Sequence, residues 1–237
     1  AMGVYRPRDF SRLYQAVESL MAQTFPHWEL LLYDDGSPSP YSGAIRRAAG
    51  LDPRIRYLRG EENRGLAFAL NQCLARSQGE YLARLDDDDA CAPRRLVWGL
   101  QKMPEIPEKR DFLFNSPYLH PTVLFRREAL AQAGGYDPSP RYRLCEDYEL
   151  FFRLHQRGMR GYNLQEPLLR YWEDYGSQRK RTYRRRLREL RLRYRGFRQL
   201  GILGPGTFCY VLKPLAVGAV PAPVHHTVRR WQKGGLL

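Results

Sequence analysis

Glu80-Tyr81-Leu82-Ala83-Arg84-Leu85-Asp86-Asp87-Asp88-Asp89 is an apolar-rich run of strand length that ends in four consecutive aspartates. Adjacent carboxylates repel one another, so a fold gathers them only where water or a cation screens the charge. On an extended chain, side chains at i and i+2 share a side. Asp86 and Asp88 are therefore expected to face one ion, with Asp87 and Asp89 pointing away. A small all-oxygen donor set suits Mg²⁺ or Mn²⁺, ions that also hold substrate phosphates. A solvated acidic turn capping the next helix fits these four residues alone equally well.

Upstream, apolar residues Leu13, Val17, Leu20 and Met21 recur at helical spacing over 10–23, with Asp9 as N-cap. Trp28-Glu-Leu-Leu-Leu-Tyr33 is a buried strand by composition, and it ends in the turn Asp34-Asp35-Gly36-Ser37-Pro38. A weak helix over 41–49 and a short strand over 55–58 follow. Asn63-Arg64-Gly65 then turns into a helix over 66–76, with Leu66, Leu70, Cys73 and Leu74 inward, and Gly79 stops it. Alternating strands and helices imply an α/β fold around a mostly parallel sheet. In such sheets ligands bind beyond the carboxyl ends of the strands. Asp34-Asp35 and Asp86–Asp89 both belong there.

Downstream the alternation breaks. Arg94–Val97 opens a helix that Trp98-Gly99 interrupts, and 101–119 reads as irregular. His120–Phe125 is a strand candidate, Glu128–Gln132 a short helix and Gly134-Gly135-Tyr136 a turn. Glu146–Leu154 is a helix with Leu150, Phe151 and Leu154 inward, and a last short strand lies within 162–171.

The 237 residues, 43% hydrophobic, suffice for one substantial domain. No basic-then-apolar leader opens the sequence. Four scattered cysteines form no CxxC, which argues for free thiols and against zinc. The net charge of +14 is placed unevenly: residues 1–176 hold 24 basic and 24 acidic side chains, whereas 177–237 hold 15 basic ones and a single acid, Glu189. The chain therefore reads as a neutral domain over 1–176 and a basic extension over 177–237.

Taken together, these motifs resemble the glycosyltransferases of family 2, the inverting class with the GT-A fold. Asp34-Asp35-Gly36-Ser37 is similar to the family's DDGS turn, and Asp86–Asp89 stands where the family has D-x-D-D, followed by Pro93 and Leu96. Residues 15–33, Asn63-Arg64-Gly65-Leu66, Gly79-Glu80-Tyr81, His120-Pro121-Thr122, Gly134-Gly135-Tyr136 and Glu146-Asp147-Tyr148 complete the resemblance over residues 2–175. The nearest group is bacterial transferases that build exopolysaccharide, capsule or cell-wall glycans. Two departures are expected. The first strand survives only as Gly3-Val4-Tyr5-Arg6, and a helix and a strand are missing between Leu96 and Val97.

The resemblance implies transfer of a sugar, with inversion, from a nucleotide-diphosphate sugar, UDP-linked by expectation, to a glycan or polyprenyl-linked acceptor. It casts Tyr5 as stacking on the base and Asp35 as accepting from a uracil N–H. Asp34 supports Asp35 or binds ribose, and Arg64 lies near the nucleotide. Asp86 contacts ribose or metal, and Asp88 ligates the Mn²⁺ or Mg²⁺ that bridges the diphosphate. Asp147 is the general base, with Glu146 as the second choice in the pair, and His120 lines the acceptor pocket. Asp89 is left as a helix-start residue.

The extension has a reading of its own. Ser177–Leu200 holds eleven Arg or Lys residues, with Leu187, Leu190, Tyr194 and Phe197 at helical spacing, a basic amphipathic helix. The apolar stretch 202–224 is broken by glycine and proline before it reaches the roughly 20 residues of a spanning helix. Both features suit an element lying on an anionic membrane surface, which would place the enzyme in the cytoplasm against the inner face of the membrane. Two other functions compete. A nucleotidyltransferase also uses paired aspartates, but residues 1–12 lack its glycine-rich loop. Nucleic-acid binding through the arginines of 179–198 lacks an accompanying motif or a second basic face, so no nucleic acid is expected.

Overall fold

The computed structural model describes residues 1–93, 105–163, 169–170 and 182–219. The chain divides into two compact units, Ala1–Glu173 and Asp174–Leu237. The first opens with the expected alternation: β1 (Met2–Val4), α1 (Phe10–Met21), β2 (Leu30–Asp34), α2 (Tyr41–Ala49), β3 (Ile55–Arg59) and α3 (Leu66–Arg76). The three strands form a parallel sheet with β2 in the middle, in a register that sets Met2 beside Leu32 and Leu30 beside Ile55.

All five residues of β2 are buried, as expected for a continuous apolar run covered on both faces. Leu30 and Leu32 pack with Leu13, Val17 and Ile45, whereas Leu31 and Tyr33 face Ala69 and Cys73 of α3. Asp9 caps α1 as the sequence suggests, its carboxylate accepting from the Ser11 N–H at 2.9 Å.

The N-terminus corrects one expectation. Met2–Val4 forms a strand, and Met2 and Val4 are 0% and 1% exposed. On the side away from β2, the Ala1 ammonium donates to the Ala83 carbonyl at 2.6 Å, and the Leu85 N–H donates to the Ala1 carbonyl at 3.2 Å. Three residues suffice because hydrogen-bond partners flank them on both sides. The sheet thus has a member beside the aspartate run.

β4 (Tyr81–Ala83) pairs antiparallel with β6 (Leu124–Arg126), and β5 (Ala90–Cys91) with β7 (Leu169–Arg170). The strand expected over His120–Phe125 begins late, because His120–Thr122 forms a 3₁₀ turn around Pro121, which has no N–H to give a ladder. α4 (Arg127–Gln132) follows, and then α5 (Glu146–Gln156), with Leu150, Phe151 and Leu154 buried as expected. Leu66 and Leu74 of α3 are only half-buried; Ala67 and Ala69 join Leu70 and Cys73 as its sealed residues. The expected helix start at Arg94, the gap between Leu96 and Val97 and most of the 162–171 strand lie outside the described residues.

The second unit contains α6 (Tyr183–Leu200) and α7 (Phe208–Ala219). Thr182 caps α6 at its start, and Gly201 ends it in the left-handed conformation at φ 71°. The buried face of α6 is Leu192, Arg193, Gly196, Phe197 and Leu200, and Tyr194, which helical spacing groups with Phe197, is 43% exposed. Glu189 pairs with Arg193, one turn along the helix, at 3.2 Å, so the lone acid of the extension serves its buried arginine. Among the described residues, no helix is long and apolar enough to cross a membrane.

Candidate active site

The first half of the site is the turn after β2. The Asp34 carboxylate is fully buried and accepts from the Ser37 N–H at 2.8 Å and the Tyr57 hydroxyl at 2.9 Å. These bonds hold the turn. Gly36 sits at φ 71° with its α-carbon against the backbone of Glu62, where any Cβ would lie 2.4 Å from a main-chain atom. Only glycine lets the turn close on the 60–65 loop. That loop delivers three donors to Asp35: Asn63 Nδ2 at 3.0 Å, Arg64 N–H at 3.1 Å and Gly65 N–H at 2.7 Å. Oδ2 receives all three, whereas Oδ1 takes only a share of the Arg64 N–H and retains capacity for a ligand donor. Burial raises the Asp35 pKa above the usual carboxylate value, against the pull of the Arg64 and Gly65 amides.

Tyr5 follows β1 at the same edge, half-exposed, with the Arg6 N–H donating to Ser37 Oγ at 3.1 Å. The Arg64 guanidinium lies 3.8 Å over the ring of Phe68, which holds it flat against α3. The structure thus brings Tyr5, Asp35 and the Arg64 backbone around one turn, while the Arg64 side chain is parked on its own helix.

The second half is the aspartate run. β4 ends at Ala83, and the chain turns four residues later. Asp87 and Asp88 form a turn, and the Asp89 N–H donates back to the Asp86 carbonyl at 3.4 Å. Ligand atoms of Asp86, Asp88 and Asp89 consequently lie within 4.8 Å of one another. This corrects the expectation that Asp89 faces away: the strand-period argument fails where the strand has already ended. Asp87 is the residue left outside the cluster, and its pKa is pushed up to about 7 by burial and then by Asp88 and Asp86. Three convergent carboxylate oxygens fit a hard divalent cation that completes its shell with phosphate and water.

The cluster has an internal counter-ion that the sequence reading missed. Arg84 is 4% exposed and hydrogen-bonds Asp86 Oδ1 through its guanidinium. Burial works against its charge, but Asp86, Tyr136 and Asp147 outweigh that, and its pKa stands above the ordinary guanidinium value. Arg84 thus pairs with the aspartate run and lies within electrostatic range of Asp147 at the start of α5. The sequence signal was present: a lone arginine between Ala83 and Leu85 in a run bound for the interior needs an anionic partner.

At that helix start, burial raises the Glu146 pKa, against the lowering effect of the nearby backbone amides of Glu146, Leu144 and Cys145. Leu144 precedes the helix at φ 70°. Asp147, half-buried, lies within electrostatic range of Arg84 and Tyr136. Tyr136 is fixed through its backbone, which exchanges two hydrogen bonds with Asn71 of α3, each 2.8 Å.

His120 sits behind this wall, 9% exposed, with Nε2 sharing a 2.7 Å hydrogen bond with the Tyr136 hydroxyl. Its ring supports Tyr136 instead of presenting an edge to solvent. Burial, and then Arg84, holds its pKa well below the usual imidazole value. The folded state thus refuses a proton that the unfolded chain accepts below about pH 6.5. The stabilising contribution is complete above that pH and is lost as pH falls, by ~1.4 kcal/mol per unit until the folded pKa is reached. His120→Gln is expected to flatten the pH dependence of urea unfolding below about pH 6.5, leaving the smaller slope that the similarly depressed His155 contributes. An unchanged slope in that variant would remove His120 as the cause.

Comparisons with known proteins agree with this geometry. The profile described as "Glycosyl transferase family 2" matches residues 5–108. A Bacillus subtilis (strain 168) protein named as a glycosyltransferase, EpsE, is 32% identical over a 271-residue alignment that covers 100% of this chain and 95% of EpsE. TuaG of the same organism, named for teichuronic acid biosynthesis, is 28% identical over 70% of this chain and 75% of its own. Among solved structures, the mannosyltransferase PcManGT of Pyrobaculum calidifontis, in complex with GDP-Man and Mn²⁺, superposes with a TM-score of 0.62 at 18% identity. That match covers 100% of this chain and 80% of PcManGT. Staphylococcal (S. aureus) TarS, in complex with UDP, gives 0.60 at 13% identity over 90% of this chain and 70% of its own. With a parallel α/β sheet, a DDGS turn and an aspartate run at its ligand edge, and a relative at this identity matched along the whole chain, the chain belongs to glycosyl transferase family 2.

Proposed function

We propose that this enzyme transfers a sugar from a nucleotide-diphosphate donor to a hydroxyl of a growing bacterial glycan or lipid-linked acceptor, with inversion and with help from a divalent metal. The observation that carries the reading is the convergence of the Asp86, Asp88 and Asp89 ligand atoms, with buried Arg84 bonded to Asp86. TuaG, named for teichuronic acid biosynthesis, and the family assignment support the glycan acceptor.

In this reading Tyr5 stacks on the base and Asp35 Oδ1 accepts from a base N–H. Asp86, Asp88 and Asp89 hold the cation, and Asp86 also faces the ribose. A cation bound there supplies charge stabilisation for the departing nucleotide diphosphate. Asp147 takes the proton of the acceptor hydroxyl as its oxygen bonds to the anomeric carbon from the side opposite the diphosphate. The bond from that carbon to the phosphate oxygen breaks in the same displacement, which inverts the configuration. Glu146, the other acid of the pair, is the alternative base. His120 acts on the acceptor side only through Tyr136.

The donor base is the open choice between UDP, our reading, and the GDP of the mannosyltransferase neighbour. A screen of UDP- and GDP-linked sugars with Mn²⁺ should show nucleotide release from at least one donor. No release from any donor, with acceptor glycan or polyprenyl phosphate supplied, would overturn the reading.

The second unit suits a membrane-bound acceptor. Arg184, Arg191, Arg195 and Arg198 are exposed along one side of α6, and Phe208, Leu212 and Ala216 recur one turn apart on the exposed side of α7. Basic and apolar helix faces of this kind bind anionic bilayers. Removal of residues 177–237 is expected to abolish flotation with phosphatidylglycerol vesicles, and retained flotation would exclude the extension as the anchor.

A further inference from the structure

We propose that Arg84 is a built-in counter-ion of the acidic site: it fixes Asp86 and holds down the affinity for a bare divalent cation, so that the cation binds tightly only together with a diphosphate. The inference rests on reading Asp86, Asp88 and Asp89 as the cation site. It concerns a residue that neither the family motif nor the proposed chemistry uses.

Three observations converge on it. Arg84 is 4% exposed, so it is no surface partner that drifts between acids. Its guanidinium hydrogen-bonds Asp86 Oδ1, an oxygen on a ligating residue, and so places one positive charge inside the shell of the expected cation. It also lies within electrostatic range of Asp147 at the start of α5.

The electrostatics give the sign. Asp86–Asp89 puts up to four negative charges on one short turn, and without compensation that turn would fold only around a metal. Arg84 lets it fold empty. The same charge repels an incoming divalent ion at a few ångströms' distance, where Coulomb interactions in a protein remain strong. A nucleotide diphosphate brings negative charge and oxygen ligands of its own, which offset Arg84 and complete the coordination. Arg84 is thus a positioning residue that couples metal and donor binding. The coupling is reciprocal, each ligand tightening the other.

The test is Mn²⁺ binding without turnover, read from the spin-resonance signal of free Mn²⁺, for wild type, Arg84→Met and Arg84→Lys, each with and without UDP. Arg84→Met is expected to bind Mn²⁺ alone at least about tenfold more tightly than wild type, since a positive charge has left the shell. Its melting temperature is expected to fall without metal and to rise with Mn²⁺ by more than that of wild type. Arg84→Lys keeps the charge and is expected to keep the wild-type Mn²⁺ affinity. A merely structural arginine would give the opposite pattern, with looser metal binding in Arg84→Met. Equal or weaker Mn²⁺ affinity in folded Arg84→Met overturns the proposal. If that variant is recovered only from Mn²⁺-containing buffer, the proposal stands. If it folds in neither buffer, Arg84→Lys decides: unchanged affinity supports the role and a tenfold change overturns it. Wild-type protein that binds no Mn²⁺ even with UDP would instead sink the reading of the site itself.

Discussion

Asp147→Asn is expected to bind donor nucleotide as wild type does while losing about 10²–10⁴-fold in transfer rate, the range that a positioned general base contributes. The argument is local. Asp147 lies in the first turn of α5, half-buried, within electrostatic range of the Arg84 guanidinium. Asparagine keeps the size and the helix start but cannot take a proton. Nucleotide affinity, set by the turn after β2 and by the aspartate cluster, should not move. Full transfer activity in this variant would place the base elsewhere. Loss of nucleotide binding would mean that Asp147 belongs to the donor site.

Asp88→Ala is expected to have an effect of similar size by a different route. Asp88 is exposed at the tip of the turn and shares the ligand cluster with Asp86 and Asp89. Removing it takes away one of three convergent carboxylates, and with it the charge stabilisation of the leaving diphosphate, worth several kcal/mol or on the order of 10³-fold in rate. The thermal shift produced by UDP with Mn²⁺ should disappear, while the melting temperature without ligands stays level or rises, because one repulsive charge is gone from the turn. A wild-type thermal shift in Asp88→Ala would remove it from the metal set. The pair of variants separates the two roles, since only Asp88→Ala touches binding.

Much of this was legible in the residues. Five buried positions in a row over β2 gave a central strand, the acidic turns at two strand ends gave a ligand edge, and helical spacing gave α1, α3 and α5. What stayed hidden depended on contacts between distant segments. Three residues of β1 make a strand only because Ala83–Leu85 flanks them opposite β2. Asp89 joins Asp86 because the chain turns at Asp87-Asp88, which a period-of-two argument cannot see. The separate partners of Asp34 and Asp35 were hidden too: Tyr57 and Ser37 claim the first, and the 63–65 loop binds the second from outside. His120 reads as an acceptor-pocket residue, and its bond to the Tyr136 hydroxyl joins segments that the sequence does not connect. In α6, the abundance of arginine hid which apolar residues would be sealed, and Tyr194 proved to be on the outer side.

The central claim is a nucleotide site whose affinity depends on a metal held by Asp86, Asp88 and Asp89. Calorimetric titration of UDP, and of GDP in parallel, into the full chain with Mn²⁺ and again with EDTA tests it most directly. The account predicts binding of one nucleotide with Mn²⁺ and at least about tenfold weaker binding with EDTA, the loss of one strong charge-assisted contact set. Equal affinity in EDTA, or binding of neither nucleotide with Mn²⁺ present, would contradict it.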